Sequence, residues 1–275
     1  MMQDGILIIN KPQGFTSFDV VAKCRKVLQT KKIGHTGTLD PLATGVLAVC
    51  VGKATKLVEL LTCDDKIYEV EMKFGIKTDT GDITGNVINE SDVNISKENV
   101  DEVLKSFIGK QKQIPPMYSA IKKDGVKLYE LARKGIEIER EARDIEIFAI
   151  SDVSLEGEIL KYKAHVSKGT YIRVLCEDIA QKLGTCGTMT KLNRVKSGRF
   201  EIKDACEIEE ISNEKLMSME KLFDNKITIE KDLDKLLNGM KLRFDLPNGI
   251  YNLYTNEYIG IGKIEDNYLK REIIL

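Results

Sequence analysis

Residues 34–47 read GHTGTLDPLATGVL, and the interpretation of the whole chain starts from this glycine-rich stretch. It contains one of the two histidines, His35, and a carboxylate, Asp40, that directly precedes Pro41. A residue before proline is disfavoured in the α region, so Asp40 is expected in an extended or turn conformation. A carboxylate held on such a loop is a candidate reactive group, although an Asp-Pro pair also starts turns for purely local reasons.

The segments on both sides of this loop predict regular structure. Apolar runs at residues 6–9 and 46–51 are typical of buried strands. Between them, Thr16 or Ser17 is expected to cap a helix. The helical spacing of its apolar residues predicts an inward-facing stripe made of Val20, Cys24, Val27 and Leu28.

The rest of the chain alternates between strand and helix patterns. Residues 66–74, KIYEVEMKF, alternate strictly and predict a strand with Tyr68 on its apolar face. Ser96 is a predicted helix cap, and a helix that ends at Gly184 is expected after Tyr171. Further strands are expected at residues 145–153, 161–166, 250–254, 258–261 and 271–275.

Composition limits the class of protein. The chain has 275 residues, of which 42% are hydrophobic and 31% charged, as is typical of a globular protein. No apolar run is long enough for a membrane span, and the N-terminus does not read as a secretory signal. The six cysteines form no Cys-x-x-Cys pair, so we expect reduced thiols, no metal site and a cytoplasmic protein.

Charge is distributed unevenly around a net value of −1. Residues 20–35 and 187–199 carry lysines and arginines without a single acidic residue, and residues 110–143 contain more basic than acidic side chains. The charged side chains of residues 79–102 are mostly acidic. Such runs indicate either ordinary solvated faces or a surface that binds nucleic acid, and composition does not decide between them.

The motif at residues 34–47 resembles that of the TruB-type tRNA pseudouridine synthases, Gly-His-Thr-Gly-x-Leu-Asp-Pro-x-Ala-x-Gly-Val-Leu, at every fixed position. Other motifs similar to those of this family follow in the family order over roughly residues 5–200. They are NKPQG at 10–14, KIYEV at 66–70, TDTGD at 78–82, the segment that begins PPMYSA at 115, GTYIR at 169–173, and Leu192 with Arg194, Gly198 and Phe200.

This resemblance implies an α+β fold, with a mixed, largely antiparallel sheet flanked by helices. The catalytic domain would span residues 1–225, with an RNA-contacting insertion at about 110–143. Residues 226–275 would form a short C-terminal β module of the PUA-like type.

The resemblance also implies an activity. It is the isomerisation of uridine to pseudouridine at position 55 in the T-loop of tRNA, by base flipping and without a cofactor or metal. Asp40 would be the catalytic group, either as a nucleophile or as a base that removes a ribose proton. Arg173 would pair with Asp40, and Tyr68 would stack against the target base.

Substrate contacts are implied for His35, Tyr171, Leu192 and Lys11. His35 would occupy the space that the flipped base leaves, while Tyr171 and Leu192 would line the pocket. Without the family, Tyr68 and Leu192 read as ordinary core residues and His35 as a structural histidine.

The implied partner is the T-stem-loop of tRNA, with no membrane and no obligate protein partner, and a monomer is expected. Two other functions remain open. The chain could be a tRNA-binding or tRNA-folding chaperone in which catalysis is incidental, or a relative of the RNA-guided rRNA pseudouridine synthases.

Overall fold

The structure is a computed structural model that describes residues 4–62, 65–123 and 125–275. The thiol expected at Cys63 and the turn residue Asp124 lie outside this described part. In the same ranges, no helix combines the length and the apolar character that crossing a membrane requires. The described cysteines are free thiols, at positions 24, 50, 176, 186 and 206.

The described residues form the following elements in chain order. The helices are α1 (Ser17–Val27), α2 (Val58–Thr62), α3 (Lys97–Ser106), α4 (Leu128–Ala132), α5 (Ile172–Lys182) and α6 (Leu233–Leu237). The strands are β1 (Gly5–Lys11), β2 (Ile33–His35), β3 (Thr44–Val51), β4 (Lys66–Phe74), β5 (Ile76–Thr78), β6 (Val87–Glu90), β7 (Gly109–Gln113), β8 (Lys122–Lys123), β9 (Val126–Lys127), β10 (Arg143–Glu156), β11 (Ile159–Val166), β12 (Gly187–Ser197), β13 (Phe200–Glu201), β14 (Lys226–Thr228), β15 (Leu242–Arg243), β16 (Gly249–Tyr254), β17 (Tyr258–Glu265) and β18 (Tyr268–Ile274).

Nine strands of the described chain form the main sheet. Its order is β1-β3-β12-β4-β11-β10-β7, with β2 added to β3 and β13 added to β12. The β3–β12 pair is parallel, and the other pairs are antiparallel. Helices pack against this sheet, so the prediction of an α+β fold with a mixed, largely antiparallel sheet is confirmed.

Strand β12 was not among the predicted strands, although it lies between β3 and β4 and therefore holds the two halves of the sheet together. Met189, Leu192 and Arg194 lie on the face that it shares with Tyr68 of β4, and all three are buried. A register shift between Met189 and Lys191 and the buried arginine break the alternation on which strand prediction depends. The basic run at residues 187–199 is thus largely a central strand.

Helix α1 begins as expected but buries a slightly different stripe. Thr16 is its N-cap, and Thr16 and Asp19 each accept a hydrogen bond from the other's backbone N–H. Val27, predicted to face inward, is 42% exposed, whereas Val21 is buried. The buried face is centred on Cys24, and Val27 lies at its edge in the last turn. The prediction for Val27 is therefore wrong.

Strands β1 and β3 have a hydrophobic core on each face. One set of alternating residues belongs to the same core as residues of α1, α3 and α5, and includes Leu7, Ile9, Leu47 and Val49. The other set packs with residues of β17 and β18, and includes Ile6, Ile8, Val46, Ala48 and Cys50 together with Ile261 and Ile273. Those two strands belong to a second sheet in the described chain, of order β14-β16-β17-β18-β15. This C-terminal sheet therefore shares a core with the main sheet.

Candidate active site

A cleft of about 510 Å³ opens beside the loop between β2 and β3. Strands β4 and β12 and the first turn of α5 supply other parts of its wall. Although they are distant in the sequence, five residues singled out above line this one cleft: Asp40, Tyr68, Tyr171, Arg173 and Leu192. The fold thus brings a carboxylate, a guanidinium and two phenol rings to one place.

Asp40 and Arg173 form an ion pair at the base of the loop. Nε of Arg173 lies 3.0 Å from Oδ2 of Asp40. The other two nitrogens of the guanidinium donate to the carbonyl oxygens of Thr80 and Tyr118, each at 2.7 Å. The Arg173 side chain is 6% exposed and that of Asp40 is 36% exposed. Arg173 is therefore fixed on all its polar atoms, while the carboxylate stays accessible from the cleft.

A second buried arginine, Arg194 on β12, holds the backbone of the Asp40 loop. Its nitrogens donate to the carbonyl oxygens of Val46 at 2.8 Å, Gly37 at 3.0 Å and Thr38 at 3.5 Å. Only 2% of Arg194 is exposed. Arg194 belongs to the basic run at residues 187–199, for which an exposed surface was expected, and the structure corrects that expectation for this residue. Its position two residues after Leu192, on the same face of a strand, is the signal that would have indicated burial.

Lys11 holds the same loop from the other side. Its Nζ donates to the carbonyl oxygens of Phe15 at 2.6 Å, Pro12 at 2.9 Å and Pro41 at 3.5 Å. Lys11 is completely buried, and burial lowers its pKa to about 8, against the opposing effect of Asp40. Lys11 does not line the Asp40 cleft, so its placement favours a role in shaping the loop over the expected substrate contact.

Helix α1 fixes the residue before Asp40. The Ser17 hydroxyl accepts from the N–H of Leu39 at 2.9 Å and lies 3.2 Å from the Leu39 carbonyl oxygen, to which it donates. At the other end of the loop, Gly45 has φ +102°, and a Cβ there would lie 2.3 Å from the carbonyl oxygen of Arg194. Glycine is thus required where β3 meets β12.

Aromatic and apolar side chains form part of the cleft wall. Tyr68 is buried on the face of β4 that also carries Val70, and Leu192 is buried on the neighbouring strand. Tyr171 is the N-cap of α5, and Gln113 bonds both its N–H and its carbonyl oxygen, at 2.8 and 3.1 Å. Burial raises the pKa of Tyr171, so this phenol stays protonated at neutral pH. An aromatic ring and a carboxylate together suit a flat, polar base attached to a sugar.

His35 lies at the end of β2 and does not line the cleft. Its ring meets that of Phe18 edge-on, with the centroids 6.0 Å apart. Burial, and after it the charge of Arg194, lowers the pKa of His35, so the imidazole is neutral at pH 7. Its Nδ1 is buried and has no hydrogen-bond partner among the described residues.

The insertion at residues 110–143 forms another side of the cleft through Tyr118, Ser119, Ala120 and Arg143. Lys122, Lys123, Arg133 and Lys134 are exposed on it. Its regular structure is slight, since β8 and β9 have two residues each and α4 has five.

The comparisons with known proteins identify the family of the chain. A family model described as "TruB family pseudouridylate synthase (N terminal domain)" matches residues 25–172, and one described as "tRNA pseudouridylate synthase B C-terminal domain" matches residues 173–242. The fold and the family matches therefore define a pseudouridine synthase, an enzyme of the isomerase class. Within that class, the chain belongs to the TruB family.

Individual relatives span nearly the whole chain. Two proteins named tRNA pseudouridine synthase B are similar to it. That of Fusobacterium nucleatum subsp. nucleatum is 48% identical over 279 residues, 97% of each chain, and that of Clostridium perfringens strain 13 is 44% identical over 291 residues, 99% of each. A crystal structure of a Cbf5-Nop10-Gar1 complex shares the fold, with TM-score 0.73, 24% identity, and coverage of 99% of this chain and 85% of that one.

Proposed function

We propose that this enzyme converts uridine to pseudouridine at position 55, in the T-loop of tRNA, with Asp40 as the catalytic group. The observation that carries the proposal is the Asp40–Arg173 pair, 3.0 Å apart in a cleft lined by Tyr68, Tyr171 and Leu192. The names of the relatives at 44–48% identity support tRNA as the substrate.

The reaction requires the target base to leave its stack, which costs a few kcal/mol that contacts in the pocket offset. The bond between C1′ and N1 of uracil breaks, the base turns, and C1′ bonds to C5. C5 then releases its proton to solvent, and N1 takes up a proton in exchange. Atoms and electrons balance without an oxidant, a reductant or an energy source. The accessible carboxylate of Asp40 suits either attack on C1′ or removal of a ribose proton.

Each remaining site residue then has a proposed role. Tyr68 stacks against the uracil ring and Leu192 contacts it, while Tyr171 closes the pocket. His35 enters the space that the base vacates, and its neutral imidazole suits insertion among stacked bases. Lys11 and Arg194 do not touch the substrate but keep the Asp40 loop in position.

Exposed cations support RNA binding by the enzyme, which we propose to act as a monomer in the cytoplasm. On α1 and the turn after it, these are Lys23, Arg25, Lys26, Lys31 and Lys32. Cations that neutralise phosphates release counterions, so affinity should fall steeply as the salt concentration rises.

The test is to incubate the purified protein with an unmodified tRNA transcript and to map pseudouridine, alongside a transcript with cytidine at position 55. Pseudouridine at position 55 alone is the expected result, and modification elsewhere or none contradicts the proposal. Tritium release from C5-labelled uridine separates catalysis from a chaperone role, which would give binding without release. Activity on the free transcript also removes the need for a guide RNA.

A further inference from the structure

Phe18, on the first turn of α1, is an aromatic side chain that the site described above does not use. It is 64% exposed. A single exposed apolar side chain needs no explanation by its exposure alone. The position of Phe18 and the groups around its ring indicate a function for this side chain.

Phe18 lies beside the loop that carries Asp40. The preceding residue, Ser17, is hydrogen-bonded to the backbone of Leu39, which directly precedes Asp40. The ring of Phe18 also packs edge-on against His35. An RNA whose target base enters the cleft would therefore bring its neighbouring nucleotides close to this ring.

The insertion places a cation next to the ring. Nζ of Lys127 lies 5.6 Å from the centroid of Phe18 and 5.4 Å from that of Tyr129. Arg133 lies 5.4 Å from the same tyrosine ring. Aromatic rings interleaved with cations are the usual surface for unpaired nucleotides, because bases stack on the rings while the cations neutralise phosphates.

A polar atom without a partner lies next to the same ring. Nδ1 of His35 is buried and bonded to none of the described residues. Because a buried, unpaired nitrogen is costly, it suggests that a hydrogen-bonding group of a ligand comes within reach. Aromatic surface, cation and unpaired nitrogen thus point to the same class of ligand.

We propose that Phe18 is a stacking site for a second unpaired base of the RNA substrate, distinct from the base that enters the cleft. Lys127 neutralises the phosphate beside that second base. This inference rests on the proposed function, because it takes the enzyme to bind a loop in which bases are unstacked.

The first test measures Kd for a T-arm stem-loop RNA with three variants. Phe18→Leu removes the flat ring and should raise Kd roughly 5- to 150-fold, the effect of losing about 1–3 kcal/mol of base stacking. Phe18→Trp keeps an aromatic face and should stay within about twofold of the parent. Phe148→Leu makes the same change at an exposed ring on β10, outside the cleft, and should leave Kd unchanged.

The second test removes the base from the RNA. A set of stem-loops carries one abasic site each, at successive loop positions other than the target. At one abasic position, the Kd of the parent enzyme should rise by the same factor by which Phe18→Leu raises Kd on intact RNA. The Kd of the Phe18→Leu variant should not rise further at that position. Equal losses for both proteins at every position would overturn the proposal, as would an unchanged Kd for Phe18→Leu.

A purely structural role gives a different pattern. Suppose that the ring of Phe18 only held the insertion in place through Lys127. In the Lys127→Met background, Phe18→Leu would then have no further effect on Kd. Phe18→Leu would also raise Kd by the same factor for every stem-loop of the abasic set. That result would also overturn the proposal. Failure of the proposed function is recognised separately, because the parent protein would then form no pseudouridine in the stem-loop.

Discussion

The two sides of the cleft are held in different ways. On one side, the loop at residues 36–41 has its carbonyl oxygens bonded by two buried cations, Lys11 and Arg194. On the other side, Lys122, Lys123 and Lys134 of the insertion are exposed. Lys127 donates to the hydroxyl of Tyr129, and the exposed Arg133 lies over the ring of the same tyrosine. The cations that hold the Asp40 loop are therefore buried, whereas those of the insertion are mostly exposed.

Under the proposed function, this difference suits the two tasks of the enzyme. Bond cleavage requires a carboxylate whose position is fixed, because a displacement of about 1 Å can cost about 100-fold in rate. Binding a folded RNA depends on many weak contacts to phosphates, each of which tolerates small shifts. Substitutions on the fixed side should therefore change turnover and stability, and those on the insertion should change affinity.

The largest effect is expected for Asp40→Asn. The amide oxygen still accepts from Nε of Arg173, so the protein should fold and bind tRNA. It lacks the reactive carboxylate, however, and turnover should fall by more than about 10⁴-fold, as for other essential catalytic groups. Single-turnover pseudouridine formation and filter binding measure the two effects. Activity close to that of the parent would remove Asp40 from the mechanism.

Arg173→Lys should come next. Lysine lacks the planar fork that reaches Asp40, Thr80 and Tyr118 together, so the carboxylate loses its fixed position. A fall in kcat of about 100-fold or more is expected. Arg243→Lys, the same exchange on the C-terminal sheet, is the control and should have no effect on kcat. A fully active Arg173→Lys enzyme would show that the ion pair is dispensable.

Arg194→Met tests how the backbone of the Asp40 loop is held. It leaves the carbonyl oxygens of Val46, Gly37 and Thr38 without this donor, at about 1–3 kcal/mol for a buried unpaired group. Because three carbonyl oxygens lose this donor, we expect a loss of about 3–5 kcal/mol in the free energy of unfolding, measured in urea. Lys191→Met, on the same strand, removes an exposed ion pair with Glu71 and should cost less than about 1 kcal/mol. Equal losses of stability in the two variants would contradict the conclusion that buried Arg194 holds the Asp40 loop.

Arg133→Gln makes a smaller change on the insertion. Because Arg133 is exposed, the free energy of unfolding should change by less than about 0.5 kcal/mol. Affinity for tRNA should fall, and the slope of log K against log salt should shrink by about one. Glu130→Gln, on the same helix, removes an acid and should bind tRNA slightly more tightly. A loss of stability in Arg133→Gln without a loss of affinity for tRNA would contradict the assignment of the insertion to RNA binding.

The smallest effect concerns pH. The folded protein resists protonation of His35, whose pKa is lowered from 6.5, while the unfolded chain takes up the proton normally. The stabilisation from neutral His35 is therefore complete above pH 6.5 and is lost as the pH falls toward the lowered pKa. Urea unfolding from pH 8 to 5 should show the parent losing more stability than His35→Gln. Parallel curves would contradict the lowered pKa.

The sequence predicted those parts of the molecule whose signals are local. The Thr16 cap of α1 and the alternation of β4 follow from neighbouring residues, and the structure confirms both. The family motifs also indicated that Asp40 and Arg173 meet. No local pattern would have paired them, because 133 positions separate them in the chain and the fold alone brings them together.

The sequence did not reveal the two buried cations. Lys11 and Arg194 have the same side chains as the lysines and arginines of an RNA-binding surface. Whether such a side chain faces solvent or bonds a carbonyl oxygen depends on a loop that lies about 30 residues from one and 150 from the other along the chain. Strand β12 was missed for the same reason, since Arg194 occupies a position where an apolar residue is expected.

The core that β1 and β3 share with β17 and β18 has a consequence for how the protein can be divided. A fragment cut before β14 would keep every residue that lines the cleft, but it would remove Ile261 and Ile273 from the core that they share with Ile6, Ile8 and Val46. The apolar side chains exposed in this way on both pieces would favour aggregation. We therefore expect the main sheet and the C-terminal sheet to fold as one unit, because each covers apolar side chains of the other.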